Sequence, residues 1–360
     1  MSDLAVQPTD GQVPTARTWI SPLTKRRIES FKRNRRGYWS LIFLSFFFVL
    51  SLFAEFIAND RPILVHYDGN FYFPMYQRIP ETTFGGFFPT EAEYREKEVQ
   101  DLIEEKGWIL WQPIRYSFDT INFQREHPAS PTWENILGTD ESGRDVAANV
   151  IYGFRIAMLF GIALTGLSSI IGIAAGAVQG YFGGWVDLIF QRVIEIWAGM
   201  PRLFLLIILA SILTPSFLLL LFLLLIFEWM ALVGVVRAEF LRTRNFEYVR
   251  AARSLGVKDS VIMFRHVLPN AMTATLTFLP FVMIGSITAL TSLDFLGFGL
   301  QDELPSLGDI LRQGKSNIGN APWLGITGFL VVAITLSLLI FIGEAVRDAF
   351  DPRKTFQTDS

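Results

Sequence analysis

Apolar residues along this chain gather into runs about as long as a bilayer is thick, divided by polar segments. A membrane-crossing helix needs roughly 20 mostly apolar residues. Six stretches reach that length: Tyr38–Ile57, Phe154–Val178, Leu188–Leu213, Phe217–Val236, Ala271–Leu293 and Trp323–Gly343. Tyr38 and Trp39 open the first, where interfacial aromatics belong. That run starts late, is long for a signal peptide and has no A-x-A-like cleavage site after it, so it reads as an uncleaved anchor. Thr214-Pro215-Ser216 fits a tight hairpin between the third and fourth spans. Gly172, Gly176 and Gly180 recur every fourth residue, a small-residue spacing that lets helices approach closely in lipid. Pro201, after Gly199-Met200, and Pro280 predict kinks in the third and fifth spans, because proline removes an intrahelical bond.

Charge orients the spans. Lys25, Arg26, Arg27, Lys32, Arg33, Arg35 and Arg36 precede the first span with Glu29 the one acid among them, which places the N-terminal tail (1–37) in the cytoplasm. Segment 58–150 then lies outside, with 8 Lys/Arg and 16 Asp/Glu, a net −8. Loop 238–270, between the fourth and fifth spans, falls inside with Arg242, Arg244, Arg250, Arg253, Lys258 and Arg265 against three acids. The tail 344–360, with Arg347, Arg353 and Lys354, is inside as well. The reading is an all-α membrane protein of six transmembrane helices: an anchor (38–57), a mixed external insert (58–150) and a five-helix core (151–343), with both termini cytoplasmic.

Composition agrees. Of 360 residues 51% are hydrophobic and 18% charged, against a usual charged share of about 25%, which excludes a disordered chain and disfavours an ordinary soluble domain. The absence of Cys excludes disulfides and thiolate sites, and His66, His127 and His266 are too scattered for a metal cluster. A net charge of −3 gives no footprint for nucleic acid. Residues 1–24 are polar and expected to be disordered. The insert carries aromatic clusters (Phe71, Tyr72, Phe73, Tyr76; Trp108, Trp111), and Glu91–Lys106 reads as a surface helix with Val99, Leu102 and Ile103 at helical spacing. Asp140, Asp145, Asp294 and Asp302 are expected as surface caps near span ends.

Ionisable residues inside a span suggest function. Arg192 and Glu195, three apart, can pair with each other. Arg202 stands eleven residues before Leu213 and Glu228 eleven after Phe217. In an antiparallel hairpin both side chains then lie at similar depth, roughly 16 Å from the outer end, and pairing would relieve the cost of each charge in lipid.

The strongest signal is in the inside loop. Glu247 to Leu255 favours helix, Gly256 fits the position just past its end, Asp259 or Ser260 can cap a second helix, and Pro269 ends or kinks that helix. The result is a helical elbow with Arg250, Arg253 and the Gly256 turn exposed. Ala251-Ala252, Gly256 and His266-Val267-Leu268-Pro269 resemble the cytoplasmic "EAA" loop of bacterial ABC-importer permeases. The sequence has Arg250 where that pattern has Glu, with Glu247 three residues earlier. Gly138–Asp145, Ser292–Gly299, Pro305–Gly308 and Arg347–Arg353 are similar to segments of the dipeptide/oligopeptide branch, and the long insert to its members that take up microcin C and related peptides.

The resemblance implies a type I ABC-importer permease core in a bacterial inner membrane. This chain and a sister permease would form one channel on two cytoplasmic ATPases, which would carry the ATP and Mg, and an external peptide-binding protein would deliver cargo. Glu247, Arg250, Ala251, Ala252, Gly256, His266 and Pro269 are the implied ATPase-coupling residues. No G-x-x-x-x-G-K-[ST] loop is present: Gly314-Lys315-Ser316 comes nearest, with Asp309 where the first Gly is needed. No catalytic residue, metal site or cofactor is expected on this chain. The alternatives are a gradient-driven carrier, which Glu228 alone supports and which usually shows an internal repeat not seen here, a permease for nickel or another small solute, and an intramembrane enzyme, whose motifs are missing.

Overall fold

The computed structural model describes residues 22–123, 125–300 and 304–351. Asp302, Arg353, Lys354 and most of the tail expected to be disordered lie outside the described residues. In chain order the elements are α1 (Pro22–Arg33), α2 (Arg35–Leu52), α3 (Ala54–Ile57), β1 (Leu64–Tyr67), β2 (Asn70–Tyr72), α4 (Lys97–Glu104), β3 (Gly107–Leu110), α5 (Val146–Phe182), α6 (Gly184–Ala198), α7 (Arg202–Ile212), α8 (Phe217–Glu228), α9 (Val233–Thr243), α10 (Glu247–Ser254), α11 (Asp259–Val261), α12 (Leu268–Leu276), α13 (Leu279–Phe295), α14 (Leu307–Ser316) and α15 (Pro322–Phe350). A 3-10 turn joins α8 to α9, and a π-helical stretch, Ile262–Val267, joins α11 to α12.

Among the described residues three helices are long and apolar enough to cross a membrane: α5, the run Phe217–Thr243 and α15. Two bent pairs meet the same test together: α6 with α7, bent by 70°, and Asp259–Leu276 with α13, bent by 57°. Both bends follow from proline. Pro201 caps α7 after the Gly199-Met200 break. Pro280 lies in the first turn of α13 and has no N–H to donate to the Leu276 carbonyl one turn back, where α12 ends. The predicted first span falls on α2 and α3, which part at Phe53; α2 is 18 residues long and begins with Arg35-Arg36.

The bundle closes where small residues permit. A Cβ at Gly176 would lie 2.8 Å from the Val233 carbonyl oxygen and one at Gly180 2.6 Å from that of Arg237, and one at Gly172 would strike the Trp229 carbonyl. The three glycines therefore seat α5 against the backbone of the Phe217–Thr243 run, with Phe160, Leu164, Leu220 and Leu224 fully buried between them. Gly37 does the same for α2 on α15, against Ala345 and the Phe341 carbonyl.

The insert builds a three-stranded antiparallel sheet in the order β2-β1-β3. Val65 and Tyr67 alternate onto its inner face, over Phe84, Tyr94 and, from α4, Val99 and Ile103; Leu102 is half-buried. The Tyr152 hydroxyl donates to the Ala58 carbonyl (2.9 Å) and Arg155 pairs with Glu55 (2.8 Å), tying insert and α3 to α5.

The carboxylates expected at the surface are buried instead. Asp145 caps α5, accepting from the Ala148 N–H (2.7 Å) and the Asn135 amide (2.8 Å). Asp140 accepts from the N–H groups of Ser142 (2.9 Å) and Arg144 (2.8 Å). Burial pushes both carboxyls above the ordinary range, and these hydrogen bonds pull them partly back. Asp294 accepts from the Leu300 N–H (2.7 Å) and the Ser306 hydroxyl. They fasten short loops to the helix ends through partners two to twelve residues away.

Candidate functional site

The elbow forms as one body. In α10, Val249 and Ala252 face inward, three apart on one side of the helix. Gly256 (φ +76°) closes a Schellman turn: its N–H donates to the Arg253 carbonyl (3.0 Å) and that of Val257 to the Ala252 carbonyl (3.1 Å). A glycine is needed there because other side chains are strained at positive φ. Asp259 does not cap the next helix. It accepts a 2.5 Å hydrogen bond from the Tyr181 hydroxyl, and the backbone of Lys258 opens α11 instead. Pro269 does not end the second arm: the π stretch precedes it, and Pro269 opens α12.

The elbow is keyed to the ends of the long helices. Val249, Ile262, Val267 and Phe240 are fully buried with Ala177, Tyr181 and Ala271, each large side chain worth roughly 1.5–3 kcal/mol of burial. Arg253 lies over the Tyr181 ring (5.2 Å). Arg244 donates to the carbonyls of Gly180 (3.2 Å) and Tyr181 (3.3 Å), where a cation complements the C-terminal end of α5. Asn270 donates to the Tyr248 hydroxyl (2.9 Å) and the His266 carbonyl (3.3 Å), pinning the two arms together. Arg237 grips Asp187 bidentately (2.5 and 2.7 Å), joining α9 to the start of α6.

The coupling candidates divide by exposure. Ala252 is buried and His266 half-buried, while Glu247, Arg250, Ala251, Gly256 and Pro269 are exposed. Beside them Leu255 (83% exposed) and Phe264 (70%) stand in the open with no apolar cover. The elbow thus leaves two large apolar side chains exposed, together with the basic Arg250, Lys258 and Arg265. Sequence does not single out Tyr181, Tyr248 or Asn270, and it marks Arg244 only as one of the loop's orienting charges. The Asp187–Arg237 pair had a signal, since opposite charges flank the third and fourth spans at matching ends.

Arg202 and Glu228 stand apart from the elbow. Arg202 Nη1 lies 2.9 Å from Glu228 Oε2. Glu228 is 8% exposed, and a Cβ on Gly285 of α13 would come within 3.3 Å of its other oxygen. Arg202 opens α7 just after the bend and Glu228 ends α8 just before the 3-10 turn, so the contact joins two helix breaks. The Trp197 indole N–H donates to the Ile226 carbonyl (3.0 Å) beside it. Arg192 and Glu195 form a separate exposed pair (2.6 Å).

Among the described residues no group of three or more His, Cys, Asp or Glu could hold a metal ion. Residues 168–356 match the family model described as "Binding-protein-dependent transport system inner membrane component". The chain is 55% identical to the peptidoglycan transport system permease protein YejE of Agrobacterium fabrum, covering 97% of this chain and 98% of that one. It is 58% identical to the inner membrane ABC transporter permease protein YejE of Escherichia coli, covering 93% and 98%. It is also 34% identical to the oligopeptide transport system permease protein OppC of Haemophilus influenzae, covering 62% and 73%. The chain belongs to the family of binding-protein-dependent transport system inner membrane components and is an ABC-importer permease.

Proposed function

We propose that the chain forms half of an ATP-driven import pathway for peptide-bearing cargo, and that its elbow docks in a groove of a cytoplasmic ATPase. The observation that carries the coupling role is the elbow itself: its inner face is packed on α5, α9 and α12, while Leu255, Phe264 and the basic side chains remain exposed. A push on Leu255 or Phe264 would pass through packed side chains to α5, α9 and α12. Work reaches them when the elbow contacts the open and closed ATPase differently. Glu247, Arg250, Ala251, Gly256 and Pro269 are the contact candidates, while Ala252 and His266 act by shaping the elbow.

The rest of the reading follows from this orientation. There are six spans, α2–α3 being the first, with both termini in the cytoplasm and the insert outside. A sister permease completes the channel, an external binding protein delivers cargo, and the ATPases hold the ATP and Mg. Relatives named for oligopeptide and peptidoglycan transport support a cargo that carries peptide. The transporter reconstituted with its binding protein is expected to take up a labelled tripeptide only with ATP. Uptake driven by a proton gradient without ATP contradicts the reading.

The Arg202–Glu228 pair is proposed to brace the broken helices. Removing Arg202 leaves the buried Glu228 carboxylate unpaired, removing Glu228 leaves the half-buried Arg202 guanidinium unpaired, and removing both leaves neither charge. The single changes Arg202→Gln and Glu228→Gln are each expected to cost more than half of what the double change costs. The interaction should be at least about 1 kcal/mol in thermal unfolding of the detergent-solubilised chain. Additive losses would show that the pair does not hold the bend.

A further inference from the structure

The corner between α1 and α2 carries a second feature. Seven cations fall within residues 25–36, against one acid, Glu29. Arg27, Ser30, Phe31 and Asn34 turn toward the bundle, and the Arg27 guanidinium sits 4.5 Å above the Phe350 ring. The other basic residues, Lys25, Arg26, Lys32, Arg33, Arg35 and Arg36, are exposed. Asn34 caps α2 by accepting from the Gly37 N–H (3.2 Å) and donates to Asp348 (3.4 Å), so the corner is fixed against the end of α15.

An open cleft of about 500 Å3 lies at this corner, lined by Arg33, Arg35 and Arg36 with Phe341 and Glu344 of α15. α2, which begins at Arg35 and Arg36, exposes Trp39, Phe43, Phe46 and Phe47 in the turns that follow. Three guanidinium groups at the rim of an apolar helix face match a molecule with a phosphate at one end and hydrocarbon at the other. Guanidinium forks bind phosphate oxygens bidentately, and basic clusters just inside a membrane span attract anionic lipid.

We propose that this cleft binds an anionic phospholipid of the inner leaflet, its phosphodiester on Arg33, Arg35 and Arg36 and its acyl chains along α2. The proposal rests on the cytoplasmic placement of α1 given above. Of the carboxylates in the cleft, Asp348 is engaged by Asn34, and Glu344 sets the limit on affinity by repelling the phosphate. The lipid would pin α1 to the end of α15, whose helix packs on α2 through Gly37.

The test titrates phosphatidylglycerol against phosphatidylcholine on the assembled transporter in mild detergent, counting bound lipid by native mass spectrometry. Phosphatidylglycerol is expected to be preferred. Arg35→Gln with Arg36→Gln should weaken it about fivefold per arginine. Lys25→Gln with Arg26→Gln, the same charge change outside the cleft, should weaken it less than about twofold. Glu344→Gln should tighten it. Equal losses in the two double variants would show diffuse attraction and overturn the site. Tighter binding of phosphatidylethanolamine that Glu344→Gln weakens, or displacement of the lipid by millimolar inorganic phosphate, would overturn the choice of ligand. The orientation is checked separately. The chain has no cysteine, so a Thr24→Cys variant labelled by an impermeant thiol reagent from outside the cell would reject the placement of α1 without involving the lipid.

Discussion

A Gly256→Asp chain is expected to reach the membrane at near wild-type levels and to import nothing. A Cβ at Gly256 meets no atom within 4 Å, so nothing within the protein blocks the side chain. The left-handed backbone costs an L-residue roughly 1–2 kcal/mol, and Asp is among the side chains that tolerate it best. The Schellman hydrogen bonds and the buried Val249–Ile262 contacts remain, so the fold survives. What changes is the outward surface: a carboxylate now stands at the tip, next to Leu255, where the elbow would enter the ATPase groove. Gly256→Asn separates the causes, having the same shape and backbone strain without the charge. Uptake by the Asn variant should be reduced but measurable. Normal uptake by Gly256→Asp would reject the coupling role of the elbow, and loss of both variants from the membrane would show that Gly256 serves folding alone.

The second large effect is expected inside the bundle. Gly176→Leu should destabilise the chain by about 3 kcal/mol, because overpacking at a helix contact costs roughly 1–3 kcal/mol and here the obstacle is backbone. A Cβ there would sit 2.8 Å from both the Val233 carbonyl oxygen and the Val236 Cβ, and neither can swing aside as a side-chain tip can. Gly166→Leu, on the same helix, meets nothing within 4 Å and should shift stability by no more than about 0.5 kcal/mol. Thermal unfolding of the two variants in detergent checks the pair. Similar midpoints would mean that α5 does not depend on this close approach.

These expectations show which parts of the protein were legible in sequence. Runs of apolar residues marked the long helices, because in a bilayer each span must satisfy its own backbone and so shows its length. The glycine spacing at 172, 176 and 180 is equally local: residues four apart share one helix face, and that face meets carbonyls at 229, 233 and 237. Gly256 was readable because the C-terminal turn of a helix has its own chemistry.

Other features were not legible from the local pattern. Asp259 resembled a cap, yet Tyr181, 78 residues earlier, takes its carboxylate. Pro269 resembled a stop, yet the preceding turn widens to a π stretch and the helix continues. Asp140, Asp145 and Asp294 resembled surface carboxylates until loops folded over them. In the candidate site the outer surface was half visible: the basic residues stood out, but the exposure of Leu255 and Phe264 follows from how the two arms pack. Arg202 and Glu228 could be placed at one depth from helix arithmetic alone, whereas the contact with Gly285 of α13 needed the fold.

The most direct test of the account is co-purification of the tagged chain and its Gly256→Asp variant from mild detergent, with ATP hydrolysis and subunit stoichiometry measured on each. The account predicts a stoichiometric ATPase with the unaltered chain and its loss from the variant, both chains being folded and monodisperse. A folded, monodisperse chain that brings no ATPase in either form would contradict it and leave a gradient-driven carrier, with Glu228 at its centre, as the reading to pursue.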